Sequence, residues 1–323
     1  MPRPLRFVPE EFRNWTNSQG RPIAVHEVTV RTILGMFLLK PTPANRELIV
    51  GVMAHVQERL QFELYGYAWL SNHGSYLIGV NSAEHLSAIM RELHSQLATE
   101  LGRPQYSNWS GAFWARRGRP IQVVTEADLV ERLKYCLANS TKEHLVKRPE
   151  LWPGAHAARA LCGDMADRGI WIDRTRLDAL KRRVSYTYQQ ALTECTSTVT
   201  LTLSKLPCWA HLSDDEYRHK INAMCREISD EAFEVRRNEG IGVIGIKRLL
   251  RYSPHHIPDS LDRSPAPKVH CSCPEFRAAL FSAYRNFVEA YQRAVDALRA
   301  GLHPVLFPEG GIPPAHTYVP DLS

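Results

Sequence analysis

The period of the apolar positions changes several times along the chain, and each change marks an element. Residues 24–34 are rich in β-branched side chains, with valines at 25, 28 and 30, and predict a strand. After Pro41 and Pro43, the apolar residues of 45–60 recur at helical spacing. Residues 64–70 and 74–80 predict two more strands, a hairpin-like pair turned at Ser71 and Asn72. Ser82 caps a helix that reaches about Leu101. Residues 120–124 predict a fourth strand. Thr125, with Glu126 and Asp128 behind it, caps a helix through about Ser140. The order is βαββαβ followed by a helix. It predicts an α+β fold, a ferredoxin-like antiparallel sheet with helices on one face.

Trp152, Pro153 and Gly154 mark a boundary and divide the chain into 1–156 and 157–323. The second part reads as a mostly helical C-terminal extension, with helices predicted over 174–193, 214–237, 244–252 and 273–301. Pro-rich breaks fall at 254–267 and 304–314. Gly240, Gly242 and Gly245 lack the strand-then-long-helix setting of a dinucleotide site.

Composition narrows the class. The 323 residues suffice for one large or two ordinary domains, and 44% hydrophobic with 23% charged residues reads as soluble and globular. No apolar run approaches the ~18 residues that span a bilayer, so no membrane association is expected. Residues 1–9 lack the apolar core and cleavage site of a secretory signal, which makes the cytoplasm the expected compartment. Seven scattered cysteines do not form a disulfide framework. His270 with Cys271 and Cys273 is one Cys-x-Cys without a second pair, a weak zinc signal. Net charge is +6, and residues 101–148 carry nine Lys and Arg against four Asp and Glu. A local basic excess of that size favours polyanions such as nucleic acid. An ordinary solvated face has the same composition.

Candidate chemistry gathers at three places. Tyr135 and Asn139 lie one helical turn apart and share a face. A tyrosine hydroxyl attacks a phosphate when that phosphate is polarised by a metal and held in line, and an Asn carbonyl is a hard oxygen ligand. On spacing alone, core packing of Tyr135 and capping by Asn139 explain these two residues better. His73 and Ser75 have strand spacing and point to one face. Two histidines there would make a strong ligand pair, whereas a hydroxyl is a weak ligand. Downstream of Trp109, the run Phe113, Trp114, Arg116, Arg117 and Arg119 mixes aromatics with guanidinium groups. It suits stacking on unpaired bases and contact with phosphates, or a hydrophobic anchor beside a basic turn.

Five motifs in order are shared with a known group. Residues 6–9 (Arg-Phe-Val-Pro), 28–32 (Val-Thr-Val-Arg-Thr), 70–73 (Leu-Ser-Asn-His), 113–117 (Phe-Trp-Ala-Arg-Arg) and 134–139 (Lys-Tyr-Cys-Leu-Ala-Asn) resemble those of the REP-associated tyrosine transposases. That group belongs to the bacterial single-tyrosine HUH transposase superfamily. The resemblance covers about residues 1–156 and continues more loosely through 206–212 and 264–267.

The resemblance implies a ferredoxin-like sheet carrying the HUH motif on a central strand, with the nucleophile on a helix after the last strand. It implies Mg²⁺ or Mn²⁺ held by two histidines and a polar residue. It also implies attack on single-stranded hairpin DNA to give a 5′-phosphotyrosine and a free 3′-OH, reversed on religation, by a monomer or homodimer. Position by position, Tyr135 is the nucleophile, and His73 and Asn139 are metal ligands. Trp114, Arg116, Arg117, Arg119 and Lys134 lie on the DNA side. Ser75 stands at the second histidine position, and the turn at Arg116 and Arg117 lacks the aromatic expected after it. Two further readings are a decayed or domesticated relative that binds hairpin DNA without cutting it, and a protein-interaction module using the helical C-terminal half.

Overall fold

Local sequence sets the ends of the main elements. The protein is described from a computed structural model, which covers residues 7–183, 185–259, 267–311 and 313–314. Arg6 and residues 264–266, which contribute to the motifs above, lie outside the described residues. A two-residue strand β1 (Trp15–Thr16) leads into β2 (Pro22–Arg31). Helix α1 (Pro43–Leu60) starts at Thr42, whose hydroxyl accepts from the Asn45 N–H at 3.2 Å, with Pro43 fixing the first turn. The pair β3 (Glu63–Trp69) and β4 (His73–Val80) follows, then α2 (Ala83–Leu101) capped by Ser82, β5 (Arg119–Val123), and α3 (Glu126–Lys142) capped by Thr125.

Beyond residue 156 come α4 (Ala158–Cys162), β6 (Ala166–Ile172), α5 (Arg174–Lys181), α6 (Tyr188–Glu194), β7 (Thr196–Thr202) and α7 (Asp214–Glu239). The last described elements are α8 (Ile246–Leu249), β8 (Val269–His270) and α9 (Pro274–Arg299).

Strands β3, β4, β2 and β5 are neighbours in that order and all antiparallel, the ferredoxin-like arrangement of the βαββαβ unit. The register pairs Thr29 with Ser75, Arg31 with His73, and Thr29 with Arg119. The sheet is buried on both sides, as the run of buried residues in β2 requires. On one side Tyr76 of β4 meets His94 of α2 at 3.0 Å. On the other lies α3, where Leu133 sits so close that a Cβ on Gly66 would come within 2.7 Å of it. The helices thus cover both faces, α1 and α2 one and α3 the other. The apolar residues of both layers join one core around Leu48, Leu64, Ile78, Leu86 and Leu133.

The mostly helical character expected after residue 156 holds for α7 and α9, with corrections elsewhere. The single helix predicted over 174–193 is two, because Thr187 starts a new one with a capping box to Gln190. Flanking them, β6 and β7 form an antiparallel hairpin pair that the helical reading missed. The helix predicted over 244–252 is only α8, four residues long. The strand predicted to run to 34 ends at Arg31, where Leu34 takes a left-handed conformation inside a short turn.

The second half also closes the first. Strand β8 adds in parallel to the β5 edge, through Gln122 opposite Val269. The β3 edge is covered by Ala155 and Ala157, hydrogen-bonded to Trp69 and Tyr67 at 2.9 and 2.8 Å. Unpaired strand edges invite pairing with other chains, so both edges are blunted. Among the described residues, no helix is long and apolar enough to cross a membrane.

Candidate nucleic-acid interface

Register decides which side chains meet. Alternation along β4 puts His73 and Ser75 on the face that α3 covers, because Ser75 bonds Glu27 and Glu27 faces Arg132 of α3. Helix α3 runs back along that face. Arg132 stands at the level of Glu27, with 3.8 Å between charged atoms. The Cys136 thiol contacts the Ser75 carbonyl at 3.7 Å. At 1.5 Å rise per residue, Asn139 then falls at the level of His73. The fold brings His73 and Ser75 to the face that α3 covers, with Asn139 buried in that helix and Tyr135 on its exposed side.

Their environments differ. Tyr135 is 37% exposed, and its ring lies between the Arg132 guanidinium and the Lys142 ammonium, each 4.8 Å from the centroid. Two cations within that distance hold the ring by cation–π attraction. Asn139 is buried. His73 is half-buried, with Nδ1 2.7 Å from the Asn72 side-chain oxygen. Desolvation, and then the Arg31 charge opposite it, lower its pKa from 6.5 to about 4. It is therefore neutral near pH 7. If Nδ1–H donates to Asn72, Nε2 keeps the lone pair that a metal or a proton donor would use.

Ser75 is buried and its hydroxyl donates to Glu27 Oε1 at 3.2 Å. Glu27, also buried, is the centre of this layer. It stands 2.8 Å from His270 Nε2, delivered by β8, and 3.8 Å from Arg132. The sequence reading missed Glu27 and weighed His270 only as a weak zinc ligand beside Cys271 and Cys273. An acid within an otherwise apolar strand was the available signal for Glu27. Nothing near His270 announced that β8 would pair with β5.

The basic residues divide. Strand β5 enters at the end of the sheet where β2 leaves, and Ala115 N–H bonds Arg31 O at 2.9 Å. Arg116 and Arg117 are exposed in the turn at that end, beside the His73 pairing position. Arg119 bonds the Pro267 carbonyl at 3.0 Å. Lys134 points away to α7, 2.7 Å from both Glu227 and Glu231. Trp114 packs on the opposite side of the sheet from α3. Its indole donates to the His94 carbonyl at 2.8 Å, and its ring meets Trp69, His94 and Phe113. Of the two readings of that run, the structure shows the anchor for Phe113 and Trp114 and a basic turn for Arg116 and Arg117.

No family model and no curated protein matches the chain. Two solved structures resemble part of its fold. One is a REP-associated tyrosine transposase bound to a REP hairpin, 16% identical, at a TM-score of 0.37 over 49% of this chain and 82% of that one. The other is a candidate transposase from Deinococcus radiodurans R1, 12% identical, at a TM-score of 0.28 over 35% of this chain and 88% of that one. The likeness is distant.

The metal set that the sequence resemblance implied can be tested on the side chains. His73 fits, being neutral and oriented. Asn139 lies on the correct helix face. Ser75 does not fit, because its hydroxyl is engaged with a buried carboxylate and supplies no second nitrogen. Among the described residues, no cluster of three His, Cys, Asp or Glu ligand atoms includes His73. The residues present do not make a two-histidine metal site. Cys271 and Cys273 gather no zinc site either. Their thiols go to the Cys273 carbonyl at 3.2 Å and to Glu275 at 3.0 Å, while His270 faces Glu27.

Proposed function

We propose that the chain is a transposase-like protein that binds single-stranded or hairpin DNA at the end of the sheet carrying His73, Arg116 and Arg117, and attacks it with Tyr135. The observation that carries this reading is Tyr135 itself. It is an exposed phenol held between two cations on the helix that crosses the His73 face. In the step proposed, the phenol gives up its proton as its oxygen bonds to phosphorus, the bond from phosphorus to the 3′ oxygen breaks, and that oxygen takes up a proton and leaves as the 3′-OH. This gives a 5′-phosphotyrosine that the same 3′-OH can reverse. Lys142 supplies positive charge that a phosphate at this position meets from the chain itself, whereas Arg132 is already paired with Glu131. Mg²⁺ or Mn²⁺, if bound through His73 and Asn139, would polarise the phosphate.

A second reading, binding without cutting, is favoured by Ser75. Its burial and its bond to Glu27 leave one imidazole where the resemblance in sequence implies two.

One experiment separates the two. The protein is incubated with labelled single-stranded hairpin DNA and Mn²⁺ and run on a denaturing gel, beside Tyr135→Phe and Ser75→His. A covalent band present in the unaltered protein and absent in Tyr135→Phe establishes the nucleophile. A mobility shift with no band, restored to a band by Ser75→His, establishes the binding-only reading. Neither shift nor band ends both.

A further inference from the structure

A second cluster lies away from this interface, where the two halves of the chain join. Glu150 sits in the short helical turn Pro149–Leu151, Cys162 ends α4, and Cys225 is in the middle of α7. The turn and α4 are neighbours in sequence, whereas α7 comes from far along the chain, and the three pack together in space. One ligand atom from each residue lies within 4.8 Å of the other two. The thiols are 4.0 Å apart. Cys225 is buried, and so is Glu150 Oε2, whose carboxylate turns towards the Cys225 thiol. The nearby Arg159 donates its Nε–H to the Glu150 backbone carbonyl at 2.6 Å, and among the described residues no ion pair to the carboxylate is found.

We propose that Glu150, Cys162 and Cys225 hold a zinc ion that ties α7 to the turn at 149–151 and to α4. The distance supports it. Two sulfurs each ~2.3 Å from one tetrahedral zinc sit roughly 3.8 Å apart, whereas a disulfide needs them at ~2.05 Å. Thiols in ordinary contact can approach as closely, so the third group decides. A disulfide has no use for a carboxylate beside it, and a buried carboxylate answered only by a thiol, a weak donor, is costly to leave so. A divalent cation answers the carboxylate and allows both thiols to ionise. Two thiolates and one carboxylate suit a borderline-soft ion, with water as the fourth ligand, and suit Mg²⁺ poorly. Binding releases the two thiol protons, so affinity rises with pH. The site is independent of the DNA reading, and it is distinct from Cys271 and Cys273.

The test uses the full, untagged chain, purified reduced and without chelator. Metal content is measured directly, and cobalt(II) is then added to the metal-free protein. About one zinc per chain is expected, together with the thiolate-to-cobalt charge-transfer band in the near ultraviolet. Both should vanish in Cys225→Ser and survive in a Cys271→Ser, Cys273→Ser double variant. Because Cys225 is buried and its variant can misfold, Glu150→Gln provides the second reading, with metal affinity lowered at least about tenfold. The proposal fails if the unaltered protein shows no cobalt band, or if the band survives loss of Cys162 and Cys225 together. It also fails if the pair is recovered as a disulfide, two hydrogens lighter, without metal.

Discussion

At the scale of residues, burial rather than identity decides what the polar groups do. His156 illustrates this, for its ring is buried and Nδ1 accepts from the Ala158 N–H at 3.1 Å. Burial lowers its pKa from 6.5 to about 4, with Arg159 adding to the effect. The unfolded chain therefore takes up this proton before the folded one does. Stability is intact above pH ~6.5 and falls as pH drops from there towards 4, by about 2 kcal/mol at pH 5 for this ring alone. His73 acts in the same direction. The urea midpoint is expected to drop between pH 7.5 and 5, with a smaller drop in His156→Gln. A midpoint that does not move would remove this account of the buried imidazoles. The same contrast explains what was legible of the candidate site. Tyr135, Asn139 and His73 could be placed from spacing, since helix and strand periods fix faces. That Ser75 is spent on Glu27, and Trp114 on His94, depends on neighbours more than 19 residues away in sequence, which no local period encodes.

At the scale of elements, the βαββαβ order and the capped helices were legible because each carries a local signal: Thr42, Ser82 and Thr125 all accept the expected N–H. Strands β6 and β7 were not recognised. In β6 most residues are half-buried, so its burial does not alternate, although Thr196 to Thr202 of β7 did alternate hydroxyls with Val199 and Leu201. The hairpin announces itself instead through Gly51, in the middle of α1. A Cβ at Gly51 would lie 1.9 Å from the Ile170 carbonyl oxygen, and one at Gly169 would lie 2.2 Å from the Gly51 nitrogen. Strand and helix backbones touch there. Helix propensity alone makes Gly51→Ala stabilising by ~1 kcal/mol. The contact reverses the sign, and a loss of about 1–3 kcal/mol or more is expected on urea unfolding. Gly242→Ala, with open space around it, should change stability by less than ~0.5 kcal/mol. Equal effects at the two positions would mean that β6 does not seat on α1 in solution.

At the scale of the whole molecule, the net charge of +6 says less than where the charge is free to act. Lys134 is held by Glu227 and Glu231, so part of the basic surplus of residues 101–148 is answered by α7 within the fold. Arg116 and Arg117 are exposed at the end of the sheet where Arg31 pairs with His73. A strand of DNA crossing that end meets those guanidinium groups first. Each phosphate neutralised on single-stranded DNA contributes about −0.7 to the slope of log affinity against log salt. Replacing both arginines by alanine is therefore expected to flatten that slope by about 1.4 and to weaken binding most at low salt. Lys134→Ala should leave the slope near its original value, because that ammonium is already paired. The reverse ranking, with Lys134 dominant, would place the DNA along α3 and α7 and move the interface off the His73 end. Both variants should unfold within about 0.5 kcal/mol of the unaltered chain, since exposed ion pairs and free surface arginines contribute little to stability. A change in slope can then be read as a change in contact rather than in folding.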